Sequence, residues 1–127
     1  MPTYVLRVNE RFEAAHHLRF YHGRPEPVHG HSWRVEAVLE SRELDGEGMA
    51  CDFLEIKDAL RKLVAPLHHA DINSVPPFDT VSPTTEHLAR WLCQELEKRT
   101  ESARGGRARV AEVTVWEGSD CAATYRP

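Results

Sequence analysis

The sequence has no run of apolar residues close to the roughly 20 that a membrane-spanning helix needs, so we expect no membrane anchor. It has no excess of positive charge either, because 16 Lys and Arg residues face 20 Asp and Glu residues. The resulting net charge of −4 argues against a nucleic-acid-binding protein. Residues 1–5 lack the apolar core of a signal peptide, which predicts a cytoplasmic location.

Cysteine is also scarce, with three residues at widely separated positions, Cys51, Cys93 and Cys121. The odd number and the absence of Cys-x-x-Cys spacing argue against a disulfide framework or a cysteine-based zinc site. We therefore expect free, buried thiols. A length of 127 residues with 41% hydrophobic residues predicts one ordinary globular domain over residues 1–127.

Histidine, in contrast, is abundant, with eight residues that fall mostly in two stretches. The most informative stretch is His29-Gly30-His31, preceded by His16 on an earlier strand-like segment. Histidines two positions apart on a strand point to the same face, and converging neutral imidazoles are good ligands for Zn²⁺. Three protein ligands leave a coordination position open, as is typical of a catalytic zinc site.

Hydrophobic patterning predicts two strands, two helices and two further strands. Capping by Asp52 and a stop at Pro66 delimit the first helix, whereas Thr84 or Thr85 begins the second. We expect an α+β domain with a four-stranded antiparallel sheet and both helices on one face. The predicted strands cover residues 4–18, 28–41, 109–116 and 121–125, and the predicted loops include 68–83 and 102–107.

Several segments together resemble the family of 6-pyruvoyl-tetrahydropterin and 6-carboxy-tetrahydropterin synthases. They occur in family order over nearly the whole chain and read FEAAH (12–16), HGHSW (29–33), GMACDF (48–53), LHH (67–69), PTTE (83–86) and WE (116–117). The resemblance implies the tunnelling fold, with the element order already predicted. It also implies a homo-oligomer of stacked rings, a hexamer in this family, with active sites between subunits.

The resemblance implies a role for each matching residue. The residues that match the zinc ligands of the family are His16, His29 and His31, and Glu117 matches the carboxylate that holds the pterin ring. The residues that match a second pterin-contacting segment are Thr84, Thr85 and Glu86, although a threonine followed by an acid is equally typical of a helix N-cap.

The chain departs from the family pattern just before the histidine motif. The synthases have a cysteine there that acts as a base, whereas this chain has Glu26 three residues before His29. The pattern Glu-x-x-His-Gly-His resembles the subgroup that makes 6-hydroxymethyl-dihydropterin for folate synthesis. By that resemblance Glu26 is the general base.

A second departure concerns a catalytic Asp-His pair of the family. The histidine matches His69, but the aspartate position holds His68, which cannot supply the same negative charge. Asp71 could replace that carboxylate. The resemblance still makes His69 a candidate for returning a proton to the substrate, with Glu26 as the alternative.

We therefore expect a zinc-dependent lyase that cleaves the side chain of a 7,8-dihydropterin, with dihydroneopterin as the expected substrate. The first alternative is a 6-carboxy-tetrahydropterin synthase on the queuosine route, with its triphosphate substrate near Arg19, His22 and Arg24. The second alternative is a protein that binds zinc and a pterin without turnover. No nucleic-acid or membrane partner is expected.

Overall fold

Two long strands form the centre of the computed structural model, which describes residues 2–127. Strand β1 (Tyr4–His16) pairs antiparallel with β2 (His29–Ser41) along its whole length. Apolar residues alternate along both strands, so that one face of the pair is buried and the other is open. The buried face includes Phe12 and Trp33, whose rings stack with centroids 5.8 Å apart.

Helices cover the buried face of the sheet. Helix α1 (Phe53–Val64) begins after Asp52, whose side chain accepts a hydrogen bond from the Leu54 N–H, as the sequence predicts. Helix α2 (Thr85–Arg99) buries an apolar stripe against β4 and β5, and a short helix α3 (Glu101–Arg104) follows it. That third helix falls in a segment predicted to be a loop. A single helical turn has too few residues to produce a recognisable periodicity.

The sheet has five strands, not the predicted four, and it is mixed rather than purely antiparallel. The additional strand, β3 (Ala70–Asp71), pairs parallel with Ala14–Ala15 at one edge. It lies in the segment predicted as the loop 68–83, which also contains a 3₁₀ turn at Ile72–Ser74. Two residues are too few for an alternating pattern to be visible in the sequence. The strand order is β3-β1-β2-β4-β5.

The last two strands complete the sheet on its other side. Strand β4 (Ala108–Glu117) pairs antiparallel with β2, and β5 (Cys121–Tyr125) pairs antiparallel with β4. A bulge opposite Val38 and Leu39 leaves Ala111 without a partner. The extra residue changes the alternation, so Val110 and Val113, three positions apart, are both buried.

Two sequence expectations are resolved by burial and helix length. Cys51 and Cys93 are free and buried as predicted, but Cys121 is free and exposed, because it begins the edge strand β5. Within residues 2–127, each helix is too short or too polar to traverse a lipid bilayer.

Candidate metal centre

Three histidines converge at one end of the β1–β2 pair. His16 lies directly opposite His29, and His31 lies two residues further along β2 on the same face. The ring centroids are 4.7 Å apart for His16 and His29, 5.3 Å for His16 and His31, and 4.7 Å for His29 and His31. We call these three residues the histidine cluster. The period of two along a strand brings them together, as the sequence predicts.

Backbone carbonyls orient two of the rings. The Nδ1 atom of His16 lies 2.9 Å from the Pro83 carbonyl oxygen, and that of His29 lies 2.9 Å from the Pro27 carbonyl oxygen. An Nδ1–H that donates to a carbonyl leaves Nε2 as the free ligand atom of a neutral imidazole. Both prolines therefore help to aim the histidine cluster inward.

The cluster has the donor chemistry that Zn²⁺ requires. The Nε2 atom of His16 is buried and has no hydrogen-bond partner within residues 2–127. Such an atom is costly to bury unless a ligand satisfies it. Burial also lowers the pKa of His16, which favours the neutral imidazole that binds a metal. The residues present thus fit a zinc ion.

Glu117 adds a carboxylate to the same group. One ligand atom from each of His16, His29, His31 and Glu117 lies within 4.8 Å of the others. Glu117 Oε1 is 3.0 Å from His31 Nε2, without the geometry of a directed hydrogen bond. The Thr85 hydroxyl donates to Glu117 Oε2 at 3.0 Å. The sequence predicts a pterin contact for Glu117 but misses its closeness to the histidines, which results from its pairing with Trp33 on β2.

A cleft of about 450 Å³ opens beside the cluster, and Glu26 lies on its wall. Glu26 Oε1 accepts a hydrogen bond from the Leu18 N–H at 2.9 Å and is 3.8 Å from His29 Nε2. The Glu26 N–H donates to the Leu18 carbonyl at 3.0 Å, so two hydrogen bonds hold this loop residue in place. Sequence reasoning did not include Leu18 or Tyr21, which also line the cleft.

The three residues of the PTTE segment that were predicted as pterin contacts all line this cleft. Thr84 caps α2, because its hydroxyl accepts a hydrogen bond from the His87 N–H at 3.0 Å. Thr85 instead directs its hydroxyl to Glu117. Adjacent threonines therefore have different partners, and Thr84 is the one that forms the helix N-cap.

His69 does not line the cleft that contains Glu26. It lines a second depression, to which His31 of the histidine cluster contributes, together with Glu13 and Ser32 of the open face of the sheet. The Asp71 carboxylate, suggested as a replacement for the missing aspartate, accepts a hydrogen bond from the Asn73 N–H at 3.0 Å.

The fold and the site together define a class of protein: an α+β domain in which three histidines that could hold a metal ion lie beside a cleft. Residues 5–127 match the sequence profile of the 6-pyruvoyl tetrahydropterin synthase family. The chain belongs to this family, and it is an enzyme of the kind that acts on pterins.

Three similar proteins illustrate the relationship. The dihydroneopterin monophosphate aldolase of Pyrococcus furiosus is 29% identical over 109 residues, which are 86% of this chain and 85% of that protein. The 6-carboxy-5,6,7,8-tetrahydropterin synthase of Aquifex aeolicus is 30% identical over an alignment of 151 residues, covering 91% and 93%. A solved Plasmodium vivax 6-pyruvoyltetrahydropterin synthase, a variant with a catalytic glutamate replaced by alanine, has a TM-score of 0.80 at 21% identity. That comparison covers 100% of this chain and 99% of the other.

Proposed function

We propose that the protein is a zinc-dependent lyase that cleaves the side chain of a 7,8-dihydropterin such as dihydroneopterin or its phosphate. The observation that carries this proposal is the position of Glu26. Its carboxylate lies on the wall of the cleft, 3.8 Å from the Nε2 atom of a candidate metal ligand, His29. A base in that position is within reach of a hydroxyl group held next to the cluster.

The histidine cluster would hold the ion through three Nε2 atoms. Zn²⁺ bound there would supply a Lewis acid that lowers the pKa of a hydroxyl group and limits its orientations. The carbonyls of Pro27 and Pro83 keep two of the imidazoles in the ligating orientation.

Glu117 would anchor the pterin ring. A carboxylate can accept two parallel hydrogen bonds, from the 2-amino group and from N3–H of the ring. Because Glu117 lies beside the histidine cluster, a ring held by it would carry its C6 side chain close to the cluster. Thr85 donates to the same carboxylate and would keep it oriented, and Glu86 lines the same cleft.

In the proposed reaction, Glu26 removes the proton of the C2′ hydroxyl. The C2′ oxygen then forms a carbonyl as the C1′–C2′ bond breaks, and the bonding electrons move into the C6–N5 imine of the ring. His69 returns a proton to C1′. The products are 6-hydroxymethyl-dihydropterin and a two-carbon aldehyde, so that atoms and charge balance.

Two relatives support the lyase. The protein from Pyrococcus furiosus is named an aldolase for dihydroneopterin monophosphate, whose cleavage is this type of reaction. The Plasmodium vivax protein has a glutamate described as catalytic, a precedent for a carboxylate in this fold.

The second candidate is 6-carboxy-tetrahydropterin synthesis, which the relative from Aquifex aeolicus favours. A substrate with a triphosphate would need positive charge near the cleft. Arg19 is engaged elsewhere, because its guanidinium donates to the carbonyl oxygens of Asn73 and Phe78. That leaves His22 and Arg24 of the three residues suggested by the sequence, so the lyase remains the first candidate.

A product assay tests the proposal. The zinc-loaded protein is incubated separately with dihydroneopterin, its monophosphate and its triphosphate, and products are identified by mass spectrometry. We expect a hydroxymethyl product that is lost in Glu26→Ala and retained in Glu47→Gln, a control in an exposed turn. A carboxy product from the triphosphate would instead establish the synthase. Pterin binding without any product would show a binding protein.

We also propose that the active protein is a ring-shaped homo-oligomer, with the cleft of one subunit completed by the next. The β5 edge of the sheet is unpaired in the single chain, and bare strand edges favour pairing with another copy.

A further inference from the structure

The neighbouring histidines His68 and His69 both form hydrogen bonds with the backbone of Glu13 on β1. The His68 Nδ1 atom accepts a hydrogen bond from the Glu13 N–H at 3.1 Å. The His69 N–H donates to the Glu13 carbonyl at 2.6 Å. The two imidazole rings stack, with centroids 3.7 Å apart and planes 28° apart. The local structure around His69 is therefore organised by one residue of another strand.

The backbone of His69 is held in a conformation that most residues avoid. Its φ angle is +59°, in the left-handed region, where a residue with a side chain costs about 1 kcal/mol. The hydrogen bond to the Glu13 carbonyl and the ring stack offset this cost. Left-handed residues other than glycine are concentrated at functional sites, so the strain is consistent with a selected orientation of the imidazole.

The Glu13 side chain lies in the same depression as His69. Glu13 lies opposite Ser32 on the open face of the sheet, and the Ser32 hydroxyl donates to Glu13 Oε2 at 2.7 Å. Glu13, Ser32 and His69 line one depression. The other carboxylate near His69 in sequence, Asp71, is engaged with the Asn73 N–H. The His68 ring is engaged with the Glu13 N–H.

We infer that Glu13 is the positioning residue for His69, replacing the aspartate that this chain lacks at position 68. This inference rests on the proposed function, in which His69 returns a proton to the substrate. A nearby carboxylate stabilises the imidazolium, the form that can donate that proton. The carboxylate and the imidazole come from β1 and from the turn before β3, so the pair is absent from any local sequence motif.

The test compares two variants on the open face of the sheet, each of which replaces a carboxylate with a neutral amide. Glu13→Gln keeps an oxygen that can accept from the Ser32 hydroxyl, but it removes the charge. We expect kcat to fall roughly 10- to 100-fold with KM changed less than about threefold, a part of the usual contribution of acid–base catalysis. The control is Glu36→Gln, which alters a carboxylate that accepts from Arg7 and Asn9 instead, and it should retain kcat.

A double-mutant cycle shows whether Glu13 acts through His69. In a His69→Asn background, Glu13→Gln should cause no further loss, because the group that it positions is already absent. Equal losses in both backgrounds would overturn the inference, and so would a normal kcat in Glu13→Gln.

A measurement without turnover separates this inference from the proposed function. Ring ¹⁵N resonances of His69, assigned by their loss in His69→Asn, should move in Glu13→Gln and stay unchanged in Glu36→Gln. Unmoved resonances would refute the pairing even in an active enzyme. A wild-type protein without turnover on any pterin would refute the proposed function, while the resonances would still decide whether Glu13 contacts His69. Circular dichroism checks that both glutamine variants fold.

Discussion

At the scale of single residues, function depends on polar groups whose partners differ although their sequence contexts look alike. Thr84 and Thr85 are adjacent, yet one hydroxyl serves a helix end and the other serves Glu117. His68 and His69 are adjacent as well, yet a ring nitrogen of one and the backbone N–H of the other contact Glu13. Two adjacent residues of the same type can therefore have different roles, because their hydrogen-bond partners differ.

Removing one imidazole from the histidine cluster should abolish tight zinc binding. His31→Ala removes one of the three imidazole ligands and leaves two imidazoles with the Glu117 carboxylate, a different ligand set from the one proposed. We expect metal analysis after dialysis to fall from about one zinc per chain to well under half. His22→Ala, which changes an exposed loop histidine, is the matched control. A full equivalent of zinc in His31→Ala would exclude the proposed site.

The three thiols should differ strongly in reactivity. Burial raises the pKa of the Cys93 thiol to about 12 and also raises that of Cys51, so both remain protonated near pH 8. Cys121 is exposed. A thiol-specific reagent should therefore modify one cysteine in the native protein and three in denaturant. Loss of the native reaction in Cys121→Ser is expected, and fast labelling of Cys93 would contradict the burial.

The cluster itself was predictable because strand periodicity depends only on residue spacing. His29 and His31 share a face for this reason, and the resemblance supplied His16. The closeness of Glu117 was not predictable in the same way, since it depends on the register between β2 and β4. The position of His69 depends on a two-residue parallel pairing that leaves no pattern in the sequence.

At the scale of elements, the ends of strands and helices carry the site. The β1–β2 pair ends at His16 and His29, and α2 begins where β4 ends at Glu117. The last residue of one strand and the first residue of α2, Thr85, are therefore joined by a hydrogen bond. The residues of the candidate site therefore lie where strands end and where α2 begins.

Two threonine substitutions should separate the helix end from the site. Thr84→Ala removes the N-cap of α2 and should lower the free energy of unfolding by about 1 kcal/mol. Thr85→Val removes the hydrogen bond to Glu117 and should leave stability nearly unchanged while raising KM by about 2- to 10-fold. Thermal denaturation and steady-state kinetics measure the two effects. An exchanged result, with Thr85→Val the less stable, would refute this assignment.

Strand and helix identities followed from the sequence better than the sheet order did. Strand β5 has the predicted bounds of residues 121–125, and α1 begins after Asp52 as predicted. The sequence predicts a regular alternation over residues 109–116, which the bulge at Ala111 interrupts. A single alternating pattern would place Val110 and Val113 on opposite faces, whereas the extra residue buries both.

At the scale of the whole molecule, the residues of the proposed chemistry are divided between a cleft and a depression. His16, His29 and Glu26 line the cleft, whereas His69 and Glu13 line the depression, to which His31 also contributes. Within a single chain, Glu26 and His69 therefore do not line the same space. The proposed assembly resolves this, because the depression of one copy can face the cleft of another.

Mixing two inactive variants should restore activity. Glu26→Ala retains His69, and His69→Asn retains Glu26, so some interfaces in a mixed oligomer contain both intact residues. After the variants are dissociated and reassembled together, we expect about a quarter of wild-type activity if each site draws the two residues from two chains at random. Each variant reassembled alone serves as the control. An inactive mixture would mean that both residues act within one chain.

The separation of Glu26 from His69 also predicts how activity depends on protein concentration. If a complete site needs residues from two chains, the activity per chain depends on the concentration of the protein. Specific activity should therefore fall on dilution below the assembly threshold, while each isolated chain keeps its zinc. Abundance, rather than any bound effector, would then set the rate.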